Sequence, residues 1–269
     1  MTFLEAIKAR RSVRTFNGEA PSEEELVRLR AEAGKIENPY GIKFDWAFLD
    51  ASEKGLSSPV IVGERMYVAG KSSRTPHIEE AFGYSFEKLL LCAQTMGLGS
   101  CWIAGTMDRK VFEKAIDLQS GEAMPSISPI GRPSAKMSLR ETVMRKGINA
   151  DNRREFGQLF FDGFFDRPLT MERAGKYLEA LEAVRRAPSA VNRQPWRVVL
   201  TETHAHFYER QSTGYVRDGF DLQKVDLGIA LCHFDLALNE CGLPHTFEIK
   251  DPGLPTEPYR PYIASYVLQ

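Results

Sequence analysis

Three guanidiniums and a hydroxyl fall within five residues in Arg10–Arg11–Ser12–Val13–Arg14. Arginine can grip a phosphate through paired N–H groups, so this run has the makings of an anion clamp. The plainer reading is a solvated basic helix end resting on the last carbonyls. A second group is Pro188–Ser189–Ala190–Val191–Asn192–Arg193–Gln194–Pro195–Trp196, a hydroxyl and two carboxamides in a short turn stiffened by two prolines. Such a turn can offer Ser and Asn groups and backbone N–H groups to a flat polar ligand. It can equally be a helix stop with a local Ser/Asn turn. A third group is Gly97–Leu98–Gly99 running through Trp102–Ile103 to Ala104–Gly105–Thr106. It is no dinucleotide fingerprint, because the glycine pair follows a helix and lacks the third glycine. Gly97 reads instead as a helix C-cap. The five histidines are scattered, with no Ser/His/Asp set and no metal-ligand spacing; no side chain stands out as catalytic.

Composition narrows the classes. The 269 residues are 43% hydrophobic and 26% charged, as in an ordinary globular protein. Lys+Arg 35 against Asp+Glu 36 leaves a net charge of −1, so neither nucleic acid nor an anionic membrane is an expected partner. No apolar run approaches the ~20 residues of a spanning helix, and the N-terminus has no signal-peptide core. The four cysteines form no CxxC pair, and Cys92, Cys232 and Cys241 fall in or at the end of apolar helical stretches where buried free thiols are common. The expected location is the cytoplasm.

The elements that must position these groups follow from periodicity. Short helices are expected over 2–9 and 22–33, the latter opened by a Ser22/Glu25 capping box. A loop is expected over 34–43, strands over 44–49 and 58–62, and a mobile polar stretch over 70–78. A helix from about Glu79 to Met96 is apolar nearly all round, which means burial on all sides. After it come a strand at 100–103, a helix at 109–116 and a strand at 125–130. A second all-round apolar helix spans about Leu222 to Cys241, and Gly83/Gly228, Gly97/Gly242 and Leu98/Leu243 keep one constant spacing between the two. Helix-then-strand over 170–201 mirrors 22–49, and 261–267 mirrors 125–130. Two diverged halves, 1–146 and 147–269, are therefore expected, their apolar helices burying each other in one core. The Arg-Arg-Ser-x-Arg run and the Ala104–Gly105–Thr106 turn belong to the first half only, and the Pro-Ser-Ala-x-Asn turn to the second. Each half supplies what the other lacks.

These residues resemble the nitroreductase family of FMN-dependent oxidoreductases, normally homodimers with a flavin at each subunit interface. Over essentially its whole length the chain is similar to the TM nitroreductase branch, in which two family units are fused. The resemblance implies an α+β fold of two half-repeats forming a pseudo-dimer, with mixed and antiparallel sheets flanked by helices. It implies that Arg10, Arg11, Ser12 and Arg14 bind FMN, the motif's Arg and Ser holding the phosphate and its second basic position facing the pyrimidine edge. Ala104, Gly105 and Thr106 would lie by flavin N5, and Lys136 would help hold the phosphate; one basic residue stands there where relatives often have two. Pro188, Ser189, Ala190, Asn192 and Gln194 match the segment that reaches the flavin from the neighbouring subunit. The flavin then carries the chemistry, NADH or NADPH delivering hydride and a nitroaromatic, quinone or similar small molecule accepting it. One FMN per monomeric chain is expected, since only one site receives both sets of motifs. An alternative is a non-catalytic FMN-binding or sensing protein, its pocket filled by the 34–43 loop with Tyr40.

Overall fold

The computed structural model describes residues 1–257 and 260–269. Two helices organise it, Ile78–Thr95 and Leu222–Glu240, and both are buried along nearly their whole length. They cross through Gly83 and Gly228. A Cβ on Gly83 would lie 2.1 Å from the Val225 carbonyl oxygen, and one on Gly228 would lie 2.0 Å from that of Glu80. Only glycine lets the two backbones come this close. The repeat spacing read from the sequence thus marks the contact that joins the halves.

Each helix carries its own sheet. In the first half the strands run Asp45–Asp50, Met66–Ser73, Ile127–Gly131 and Gly99–Ser100, all antiparallel, with Glu122–Ala123 also pairing Met66–Ser73. In the second the order is His245–Glu248, Tyr262–Leu268, His204–Glu209, Trp196–Leu200 and Phe160–Asp162, with only the last pair parallel. The architecture is α+β, two diverged half-repeats, as the resemblance implied.

Two expectations fail locally. Residues 58–62 form no strand: Pro59 has no N–H, Ile61 N–H closes a turn onto the Ser58 carbonyl, and Val62 makes a single bridge to Thr15. The strand lies at Met66–Ser73 instead, taking in part of the stretch read as mobile. Its polar end and Gly70 weaken the apolar signal, yet Gly70 is where the Trp46 ring lies across the strand. Among the cysteines, Cys241 is exposed while the other three are buried.

The interface between the halves also holds acids. Glu209 is fully buried and has no ion-pair partner among the described residues. Burial, with Asp221 and Glu80 adding to it against Lys224 and the Gln211 side chain, pushes its pKa from 4.5 up to about 7. The folded chain therefore retains a proton that the unfolded one releases. This contribution to stability is complete below pH 4.5, declines as pH rises through about 7, and stays lost above. Glu209→Gln is expected to flatten that decline and to raise the denaturation midpoint at pH 8. Chemical denaturation across pH 5–8 checks this, and parallel profiles for both proteins would refute it.

Candidate functional site

A cavity of about 610 Å³ opens between the halves, within the ~300–1,000 Å³ usual for small-molecule sites. One wall is the basic run. The helix Phe3–Ala9 ends as Arg10 turns to extended backbone (φ −62°, ψ 132°). The strand-like segment that follows is pinned from both sides. Val13 N–H donates to the Ser100 carbonyl at 2.8 Å, Phe16 N–H to Val62 at 2.8 Å, and Val62 N–H to Arg14 at 2.9 Å. Successive side chains of an extended segment alternate in direction. Val13 enters the first-half core, while Arg11 and Thr15 turn to Glu141, at 3.1 Å and 2.7 Å. Arg10, Ser12 and Arg14 line the cavity, and Arg11 borders it with its charge already met by Glu141.

Two carboxylates also line the cavity, but Asp226 is taken up by the Ala190 N–H and Asp151 by Arg145, so the groups left without partners are positive. Arg14 is buried, and its Nε and Nη1 meet no acceptor among the described residues; the same holds for Arg10 Nη1 and Arg153 Nε. Burial, followed by the charge of Arg10, pushes Arg153 down to about 10, and Arg185 and Arg186 add to this against Asp151. Buried donors without partners are costly, and guanidiniums gathered around one cavity suit an anionic group. Arg10 Nε keeps one internal partner, Glu87, at 3.5 Å. Glu87 sits on the first buried helix and also accepts from Trp102 Nε1 at 2.7 Å, and its other oxygen lies 3.0 Å from His233 Nε2 on the second. Burial alone would raise the Glu87 pKa, but Arg10, then His233 and the Trp102 N–H, outweigh it and hold the carboxyl below its ordinary value. One carboxylate thus fixes two cavity-lining side chains, Arg10 and Trp102.

The second wall is the turn after the helix Leu178–Arg186. Val191, Asn192 and Gln194 have φ of 43°, 58° and 53°. Left-handed backbone costs of order 1–3 kcal/mol per non-glycine residue, and is rarest for a β-branched one. Hydrogen bonds hold the strain. The Asp226 carboxylate accepts the Ala190 N–H at 3.0 Å and 3.1 Å, and Ser189 Oγ accepts the Gln194 N–H at 2.9 Å. Gln194 Oε1 accepts from Arg154 N–H at 2.9 Å. Pro188, Ser189, Ala190 and Asn192 line the cavity. The amide hydrogens of Asn192 go to the carbonyls of Asn149 and Asn152, at 2.7 Å and 3.0 Å. Gln194 lies buried beneath the turn rather than on the cavity wall.

Ala104, Gly105 and Thr106 form the third wall. A Cβ on Gly105 would meet nothing within 4 Å, and no protein carbonyl among the described residues takes the N–H groups of these three. Leu222, Val225 and Ile229 of the second long helix supply an apolar floor. Lys136 is not brought here: it is exposed, on a segment that turns outward after Ser134 bonds the Thr15 carbonyl.

Several lining residues escaped the sequence reading. Met144, Arg145 and Ile148 come from the helix Leu139–Gly147 and its end. Its signal was present, since Ser138 Oγ caps the Glu141 N–H at 3.1 Å in a Ser-x-x-Glu pattern. Arg153, from the second half, faces the same cavity as Arg10 and Arg14. Among the described residues no group of acids, histidines and cysteines could hold a metal ion, and no helix is long and apolar enough to cross a membrane.

The architecture is that of a nitroreductase. A solved structure from Thermotoga maritima, described as a "putative nitroreductase", matches 100% of this chain and 93% of its own at 21% identity, with a TM-score of 0.64. Others match about half of the chain. A nitroreductase family protein from Clostridium novyi covers 50% of this chain and 87% of its own, at 17% identity and a TM-score of 0.44. An FMN-dependent nitroreductase from Clostridium difficile covers 49% and 88%, at 18% identity and a TM-score of 0.43. No curated protein matches the sequence. Residues 2–238 fit the family model described as "Putative TM nitroreductase", and the chain belongs to that family.

Proposed function

We propose that this chain is an FMN-dependent oxidoreductase that passes electrons from NADH or NADPH to a small acceptor such as a nitroaromatic or a quinone. The observation that carries this reading is the set of buried, unpartnered guanidinium N–H groups of Arg10 and Arg14 on a cavity that also offers an apolar floor and open backbone N–H groups. Those features suit a flat ring system bearing an anionic arm. When bound, FMN would supply the hydride acceptance and donation that no side chain here can. Arg10, Ser12 and Arg14 would hold its anionic groups, with Arg153 adding charge from the second half. Leu222, Val225 and Ile229 would exclude water from one ring face. Gly105, with no Cβ, leaves its N–H open to a bound ligand.

Tyr40 favours turnover over storage. It does not line the cavity; it stacks on His77 at 5.4 Å and meets Phe247 edge-on at 5.1 Å. His77 and Phe247 are related to Leu222 and Trp102 by the repeat spacing that relates Gly83 to Gly228. By that pseudo-symmetry Tyr40 would occupy the counterpart of the cavity, which supports a single flavin per chain. Light scattering combined with flavin absorbance is expected to give one FMN per monomer; two per chain would refute it. Rapid mixing with NADH or NADPH should bleach the flavin, and a quinone should restore its colour. A flavin that stays oxidised under excess of both nucleotides would overturn the assignment.

A further inference from the structure

A second, smaller pocket of about 250 Å³ lies on the second half, and its charge is unusual. Arg154, Arg193, Arg197 and Arg210 line it, and no carboxylate among the described residues does. Arg197 is built in rather than draped over the surface. It is 4% exposed, and its Nη1 donates to the carbonyls of Gln194 at 3.0 Å and Trp196 at 2.5 Å. Strand register turns Glu209 away from it: Arg197 pairs with Tyr208, whereas Glu209 pairs with Trp196 and so faces the other side of the sheet. The charges that act most strongly on Arg197 are positive. Burial, then Arg154, Arg210 and Arg260, push it down to about 9. Arg154 Nε is buried and meets no acceptor among the described residues. Buried Gln223 fixes the rim, accepting from Ser212 N–H at 2.7 Å and donating to the Arg210 carbonyl at 3.2 Å.

Four guanidiniums converging without a counter-charge suit a dianion with several acceptor oxygens. The volume admits such a group but is small for a whole nucleotide. We propose that this pocket binds a phosphate group, either free or carried on a nucleotide whose remainder extends beyond it. A path for that remainder exists. Arg193 lines both this pocket and the large cavity, and the segment Gln211–Tyr215 borders first one and then the other. Arg193 Nε bonds the Tyr215 hydroxyl at 2.5 Å, so this pair forms the divide. The site stands whether or not the large cavity turns over a flavin.

Calorimetric titration of the flavin-loaded protein at low ionic strength tests it with three probes: inorganic phosphate, ADP-ribose and 2′-phospho-ADP-ribose. None carries a nicotinamide, so no redox reaction intrudes. At least one phosphate probe should bind, and Arg210→Gln and Arg154→Gln should each weaken it tenfold or more while the bound-flavin spectrum stays unchanged. Arg210 is exposed and Arg154 is partly so, so these variants carry less folding risk than Arg197→Gln. A tenfold preference for 2′-phospho-ADP-ribose over ADP-ribose would identify a nucleotide-borne phosphate. Binding of inorganic phosphate alone would identify the free ion. Equal affinity of every probe for wild type and both variants, or binding only with release of FMN, would overturn the proposal.

Discussion

Gly228→Ala is expected to lower stability by about 3 kcal/mol, at the upper end of overpacking costs, and the melting temperature by roughly 6–12 °C. Alanine is the better helix former by ~1 kcal/mol, so a surface glycine would respond in the opposite direction. Here the added methyl would sit 2.0 Å from the Glu80 carbonyl oxygen and 2.9 Å from the Tyr84 nitrogen. Both are backbone atoms of a buried helix, so no side-chain rotation relieves the clash and the helices must part. Val225, one turn away, lines the cavity, so flavin affinity should fall as well. Gly147→Ala is the control, because a Cβ there meets nothing within 4 Å. Thermal unfolding followed by circular dichroism decides the matter. A Gly228→Ala protein as stable as wild type would mean that the close crossing does not join the halves.

Arg14→Gln should raise the FMN dissociation constant at least tenfold. A charge-assisted hydrogen bond contributes about 1.5–3 kcal/mol, and 1.4 kcal/mol is a factor of ten. The same substitution should leave the flavin-free protein no less stable. Arg14 Nε and Nη1 have no acceptor to lose among the described residues, and removing one guanidinium relieves a cluster that also contains Arg10 and Arg153. Arg10→Gln would be a poorer probe because it also strips buried Glu87 of a counter-charge. Flavin fluorescence titration and denaturant unfolding of the flavin-free protein give the two readouts. A stability loss with unchanged flavin affinity would make Arg14 structural and remove it from the site.

What the sequence revealed was local or periodic. The Ser22/Glu25 box, the two all-round apolar helices and the Gly83/Gly228 match are patterns within a few turns, repeated at one spacing. The direction of Arg10, Ser12 and Arg14 also follows from alternation once their segment is extended. What stayed hidden depends on distant partners. Arg153 joins the cavity because the chain returns there after the helix Leu139–Gly147, and nothing near Arg153 encodes that return. Gln194 points inward because Arg154 N–H and the Asn152 carbonyl lie beneath it, at 2.9 Å and 3.3 Å. Lys136 matched a family position by letter, but the outward turn at Ser134 leaves it in solvent.

Tyr40 carries a consequence of another kind. Where two identical subunits meet, any mutation appears at both sites at once, so a residue that plugs one site plugs its twin. Joining the halves in one gene product removes that constraint. Tyr40 can settle against His77 and Phe247 without an equivalent ring intruding among Leu222, Val225 and Trp102. Each wall of the remaining cavity can then be altered by selection separately, without the same change appearing at its counterpart.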